Sequence, residues 1–211
     1  MKKRLSIVLL LVLAVLLTGC GQGDKVVPLT EAELEYFNGT EFFNNYENRS
    51  NQFLGSLYDS PEQINMYELL YCDTGVREEI TDKEIFTAYA VLIGEEYNED
   101  VDIPCGCDKM TTAKIDEFLQ KYTGLTLAET DKIGLDYFIN LEEYDAYYHF
   151  HGDTNWTDVV FTKGERQGDM IRLYYDGAFY KNDGTLDKHG ESVVTLRQTE
   201  EGYQFVSNQL V

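Results

Sequence analysis

Basic residues are scarce in this sequence. Seventeen Lys and Arg stand against 38 Asp and Glu in 211 residues, a formal net charge of −21 with His neutral. That balance excludes sequence-independent nucleic-acid binding, which depends on cations meeting phosphates. A long hydrophobic run is also missing. The apolar stretch from Ile7 to Leu17 covers eleven residues, whereas a spanning helix needs roughly twenty, so no stable transmembrane anchor is expected from it. Assembled catalytic signatures are missing too. Ser56, Ser60, Ser192 and Ser207 lie in no G-x-S-x-G elbow, which leaves Ser-centred hydrolysis without support. The absence of a P-loop and of a strand-linked G-x-G-x-x-G does the same for nucleotide chemistry. What remains is ordinary globular composition, 43% apolar and 26% charged, which excludes collagen, coiled coil and wholesale disorder. Sixteen Tyr and eleven Phe are enough for a substantial core with half-exposed phenols at its rim.

The N-terminus carries Lys2, Lys3 and Arg4, then the apolar run, then Leu17-Thr18-Gly19-Cys20. Positive, greasy, then small is the plan of a secretory signal. Its end resembles the bacterial lipobox. The resemblance implies diacylglycerol on the Cys20 thiol, cleavage between Gly19 and Cys20, and acylation of the new amino group. Each buried methylene contributes about 0.8 kcal/mol, and about two chains give a stable anchor, so no polybasic patch is needed. The chain then divides into residues 1–19, a cleaved signal peptide, residues 20–29, the lipidated Cys20 with a flexible tether, and residues 30–211, a single domain. Cleavage removes three cations and takes the net charge from −21 to −24. The expected location is the extracytoplasmic face of the cell membrane, with the acidic body standing off anionic headgroups. Beyond the membrane, the charge fits solubility, or a docking face for a cationic envelope partner or for Ca²⁺.

Removing Cys20 leaves Cys72, Cys105 and Cys107, an odd number for an exported protein. A Cys72 bridge to Cys105 or Cys107, or free thiols throughout, are the plain readings. A bridge inside Cys105-Gly106-Cys107 would close a small strained ring and be readily reduced. One C-x-C, with no second pair, is too few soft ligands for a structural zinc.

Along the domain, Thr30 with Glu33 reads as a capping box. Ser60-Pro61 opens a second helical segment carrying Ile64, Tyr67, Leu69, Leu70 and Tyr71. Thr81 opens a third, and Thr111 or Thr112 a fourth that ends at Gly124. A short helical restart is expected from Leu125. After about residue 140 the texture turns to strands: the aromatic segment Asp145 to His151, Val159 to Thr162, Met170 to Tyr175, Ser192 to Leu196 and Tyr203 to Val206. Gly164 to Asp169 reads as a turn. Helices over 30–140 and strands over 141–211 predict an α+β fold, with the helical portion packed on a C-terminal antiparallel β-meander.

Three places could carry chemistry. In His149-Phe150-His151-Gly152-Asp153, residues two apart on a strand share a face, so His149 and His151 could meet one divalent metal with Asp153 or a distant carboxylate. His189 is the remaining His. The plainer reading is two strand-edge imidazoles hydrogen-bonded to neighbours. Glu142, Glu143 and Asp145 could serve as a carboxylate pair beside a sugar-stacking Tyr147 or Trp156, although 38 acids make chance proximity common. A Cys–His pair built on Cys105 or Cys107 is blunted by acidic neighbours, which raise a thiol pKa. The acidic stretch Asn98 to Asp102 lacks the Gly and terminal Glu of an EF-hand and reads as a solvated loop.

Tyr36-Phe37-Asn38, Asn51-Gln52-Phe53-Leu54, Ser60-Pro61-Glu62, Tyr122-Thr123-Gly124-Leu125 and Tyr203 to Asn208 give most of the exported chain a further likeness. It resembles a group of uncharacterised clostridial (Gram-positive anaerobe) lipoproteins. That resemblance implies a surface lipoprotein and brings no catalytic residues. The sequence thus points to a lipid-anchored protein that binds or displays and uses no cofactor. The alternatives are a metal-assisted hydrolase centred on His149 and His151, or a cell-wall carbohydrate binder using Trp156 and Tyr147.

Overall fold

The structure is a computed structural model and describes residues 25–40, 42, 49–71, 76–151, 159–181 and 185–211. Four threonines set the starts of helical segments. The Thr30 hydroxyl accepts from the Glu33 amide while the Glu33 carboxylate accepts from the Thr30 amide at 2.8 Å, and α1 runs over Glu31–Asn38. The same reciprocal pair, Thr81 with Glu84, opens α3, Asp82–Ile93. Thr111 caps α4, Thr112–Thr123, which stops where Gly124 takes φ 81°. Glu129 accepts from the Thr126 amide and hydroxyl, each at 2.8 Å, and the restart is one 3₁₀ turn, Leu127–Glu129.

The segment after Ser60 departs from the expected single helix. Pro61–Gln63 forms one 3₁₀ turn, the chain extends at Ile64, and Asn65 caps a separate α2, Met66–Leu70. The Asn65 side chain accepts from the amides of Tyr67 and Glu68 at 3.0 and 3.4 Å. A polar side chain able to satisfy two orphan amides starts a new helix here, although the apolar spacing runs straight through it.

Two antiparallel sheets complete the molecule, so the fold is α+β. The larger has the order β1-β5-β6-β7-β8, made of Val27–Pro28, Lys163–Gln167, Met170–Tyr180, Leu186–Thr199 and Gly202–Leu210. Alternation directs Ile171, Leu173, Tyr175 and Phe179 of β6 into the core, with Val194 and Leu196 of β7 and Phe205 of β8 beside them. Phe53 stacks on Phe205 at 4.1 Å and on Phe118 of α4 at 5.6 Å, joining the helical layer to the sheet.

β5 covers most of the stretch that reads as a turn, and only Gly168 and Asp169 actually turn. Its polar residues are held because the backbone pairs with β6 on one side and β1 on the other. Arg166 on this strand is also bound to Glu33 at 3.0 Å and Gln198 at 2.6 Å. Val159–Thr162 is not a strand. Phe161 is instead tied to the Asn38 side chain, which donates to its carbonyl at 2.9 Å and accepts from its amide at 2.8 Å.

The smaller sheet has the order β2-β4-β3, from Gly106–Thr111, Ala146–His151 and Ile139–Leu141. β2 lies between α3 and α4 in the chain, so strand structure begins well before residue 140. Cys105-Gly106-Cys107 therefore runs into a strand.

Candidate functional site

β4 presents alternate residues to two sides. Tyr147, His149 and His151 share one side, and their β2 partners are Met110, Asp108 and Gly106. Ala146, Tyr148 and Phe150 share the other, paired with Thr111, Lys109 and Cys107. The two sides have different chemistry.

On the first side the imidazoles of His149 and His151 stack with centroids 5.2 Å apart and planes at 16°. Tyr71 lies against both, at 4.9 and 5.6 Å, and Phe138 adds a wall 5.1 Å from His149. Asp108 Oδ2 contacts His151 Nε2 and also binds Arg77 Nη2 at 2.7 Å. Arg77 lies 3.4 Å from the same His151 nitrogen. A guanidinium thus holds the position that a cation bridging Asp108 and His151 would take. Among the described residues, no group of three His, Cys, Asp or Glu is placed to hold a metal ion.

The remaining sequence candidates disperse. His189 sits on β7 in the other sheet, 3.3 Å from Asp176, with its side chain half exposed. Tyr147 packs against the main core, and burial, with Asp145 nearby, raises its phenol pKa. Cys105 and Cys107 are free thiols. Burial first, then the charges of Asp108 and Cys105, push the Cys107 thiol up to about 12. It also shares the side of Phe150, away from the imidazoles, so β2–β4 pairing separates it from His149 and His151. Cys20, Cys72, Asp153 and Trp156 lie outside the described residues.

The second side holds a buried polar cluster under α3. Glu84 accepts from Lys109 Nζ at 2.5 Å and from the Tyr148 hydroxyl at 3.0 Å, while its other oxygen caps Thr81. Burial by itself would raise the Glu84 pKa. The hydrogen bonds from Lys109, Thr81 and Tyr148 outweigh it and hold the carboxyl down to about 2. Such a group is a fixed anion, the reverse of an acid poised to donate near neutrality.

Sequence reading missed Arg77, Asp108 and Lys109 as partners. Asp108 and Lys109 are consecutive on β2 and so face opposite sides of the sheet, and Arg77 lies outside the strand, so no local spacing names the residues they meet. Comparison of the chain with family models, curated proteins and solved structures finds no match.

Proposed function

We propose that this chain is a lipid-anchored protein of the extracytoplasmic membrane face, held by Cys20, whose α+β body binds a partner and does not catalyse. Its helical elements over 30–140 are carried on the C-terminal meander. The lipobox-like Leu17-Thr18-Gly19-Cys20 and the likeness to clostridial surface lipoproteins support the anchor. The observation that supports a binding rather than a catalytic role is the Arg77–Asp108–His151 contact: among the described residues, the His151 Nε2 already lies against a carboxylate and a guanidinium.

Membrane fractionation with mass spectrometry of the N-terminal peptide tests the anchor. Wild-type protein is expected in the membrane with an acylated Cys20, and Cys20→Ser in the soluble fraction. An unmodified Cys20 with the leader uncut would overturn it. The adjacency of His149, His151 and Asp108 is the one feature that favours the second reading, a metal-assisted hydrolase. Elemental analysis of the purified body decides it: stoichiometric zinc lost in His149→Ala/His151→Ala would displace the binding role. A third reading, carbohydrate binding through Trp156, requires retention on cell-wall polymer that Trp156→Ala abolishes.

A further inference from the structure

Helix α3 is apolar on more sides than one sheet can cover. Glu84 and Ala88 face the small sheet and are buried. A second stripe, Phe86, Tyr89, Ala90 and Ile93, follows the spacing i, i+3, i+4, i+7 of a separate helix face. It forms one wall of a groove of about 240 Å³, whose other wall is Glu95, Glu96, Asn98 and Val101. Tyr89 is held there by its edge contact with Phe150, centroids 5.5 Å apart. Of the lining, Ile93 keeps 45% of its surface exposed, and Val91, Leu92 and Tyr97, near it in the chain but outside the lining, keep 55, 51 and 46%. Three consecutive exposed aliphatics at a helix end, beside a concavity, are a feature that single scattered surface residues are not.

Size and charge narrow the occupant. Small-molecule sites run to roughly 300–1,000 Å³, so this groove fits one or two side chains of a larger partner. From Glu84 to Asp108 the sequence has no Lys or Arg, while Glu95, Glu96, Glu99, Asp100 and Asp102 crowd the groove's loop. A second copy of this chain, also strongly acidic, would meet like charge, and so would an anionic lipid surface. We infer that the groove of α3 and residues 95–101 docks an amphipathic segment of a partner protein, seating apolar side chains among Phe86, Tyr89, Ala90 and Ile93 with Lys or Arg against Glu95 and Glu96. The mode is helix-in-groove recognition with a central apolar anchor and a charged rim. The assignment gives a partner chemistry to the binding role proposed above and rests on that role, but not on the anchor.

The test is a fluorescence-anisotropy titration of the full mature chain with a labelled peptide of about 14 residues, Leu and Lys set at helical spacing. A scrambled isomer of the same composition and zwitterionic vesicles are the other probes. The helical peptide is expected to bind in preference to its isomer, with Ile93→Asp and Glu95→Lys/Glu96→Lys each weakening it by about tenfold or more. Glu200→Lys/Glu201→Lys, the same charge change at the exposed β7–β8 turn, is expected to leave affinity within about twofold, since distant rim charges matter little. Both groove variants alter exposed positions, and an unchanged thermal midpoint verifies their folding. No binding, equal binding of the isomer, or wild-type affinity in both groove variants would overturn the inference. Vesicle binding lost in Ile93→Asp with the peptide ignored would replace it with a membrane surface. Stoichiometric zinc would remove the binding role while leaving the titration readable, so the two failures are separate.

Discussion

Glu84 closes the start of its own helix with one oxygen and neutralises Lys109 with the other. Glu84→Gln keeps the shape and leaves an ammonium beside an amide. The expected cost is about 3 kcal/mol, the low end for breaking a buried pair because Lys109 retains some contact with water. The pH dependence has a definite sign. The folded carboxyl ionises at about 2 against an ordinary 4.5, so on acidification the unfolded chain takes up the proton first. The stabilisation is complete above about 4.5 and is lost as pH falls toward 2. Urea unfolding at a series of pH values should show that loss in the wild type and its flattening in Glu84→Gln; equal slopes would refute the assignment. A second test concerns thiol reactivity. With its pKa pushed up to about 12, Cys107 should resist iodoacetamide at neutral pH in the folded protein and react after denaturation, as read by peptide mass spectrometry. Rapid native labelling of Cys107 would contradict its burial. Around Glu84 only the helix start at Thr81 was legible in the sequence. Its Tyr148 partner is 64 positions away and comes within reach only when β4 pairs with β2.

Elements show where local pattern and tertiary pairing agree. Thr30 and Thr81 read correctly as helix starts, and of the pair Thr111 or Thr112 the cap is Thr111, because a cap acts on amides two or three residues away. Helical periodicity failed at Asn65, where a local side-chain acceptor divided one stripe into two pieces. Composition failed at β5, where Gly, Glu, Arg and Gln suggest a turn but two flanking strands supply its backbone partners. Gly177 on β6 tests close packing within an element. A Cβ there would collide first with the Ser192 hydroxyl of β7 and would lie 2.9 and 3.0 Å from the Phe179 ring, which folds back over the glycine. Gly177→Val should displace that ring and cost about 1–3 kcal/mol, the range for overpacking. Denaturant unfolding measures it, and an unchanged midpoint would mean that Phe179 does not occupy this space.

For the whole molecule, α4 touches both sheets, through β2 and β8, and charge is the dominant global property. With 38 acidic against 17 basic residues in the chain, the folded protein repels itself more than the expanded chain does. Adding salt from about 0.02 to 0.2 M should therefore stabilise the fold by about 1 kcal/mol, a rise in Tm of about 2–4 °C for this size. Calorimetry across salt concentrations checks it, and a falling Tm would show that attractive surface pairs outweigh the repulsion. The acidic excess also bears on recognition, since it disfavours self-association and anionic surfaces together and leaves cationic partners as the favourable class.

The amino-acid order alone determined the mixed α+β class, the helix caps, the net charge and the lack of a long apolar span. Each of these depends on composition or on residues within a turn of one another. Which polar groups meet was decided only by tertiary structure. Strand register placed Asp108 and Arg77 on His151, put Cys107 on the opposite side of the sheet, and brought Lys109 and Tyr148 to Glu84. The second apolar stripe of α3 was present in the sequence as spacing. That it lines an open groove, where a helix of this kind would ordinarily be covered, follows from which face the small sheet takes. Pairing across long loops is set by the summed burial of many side chains, and no local stretch of residues encodes that sum.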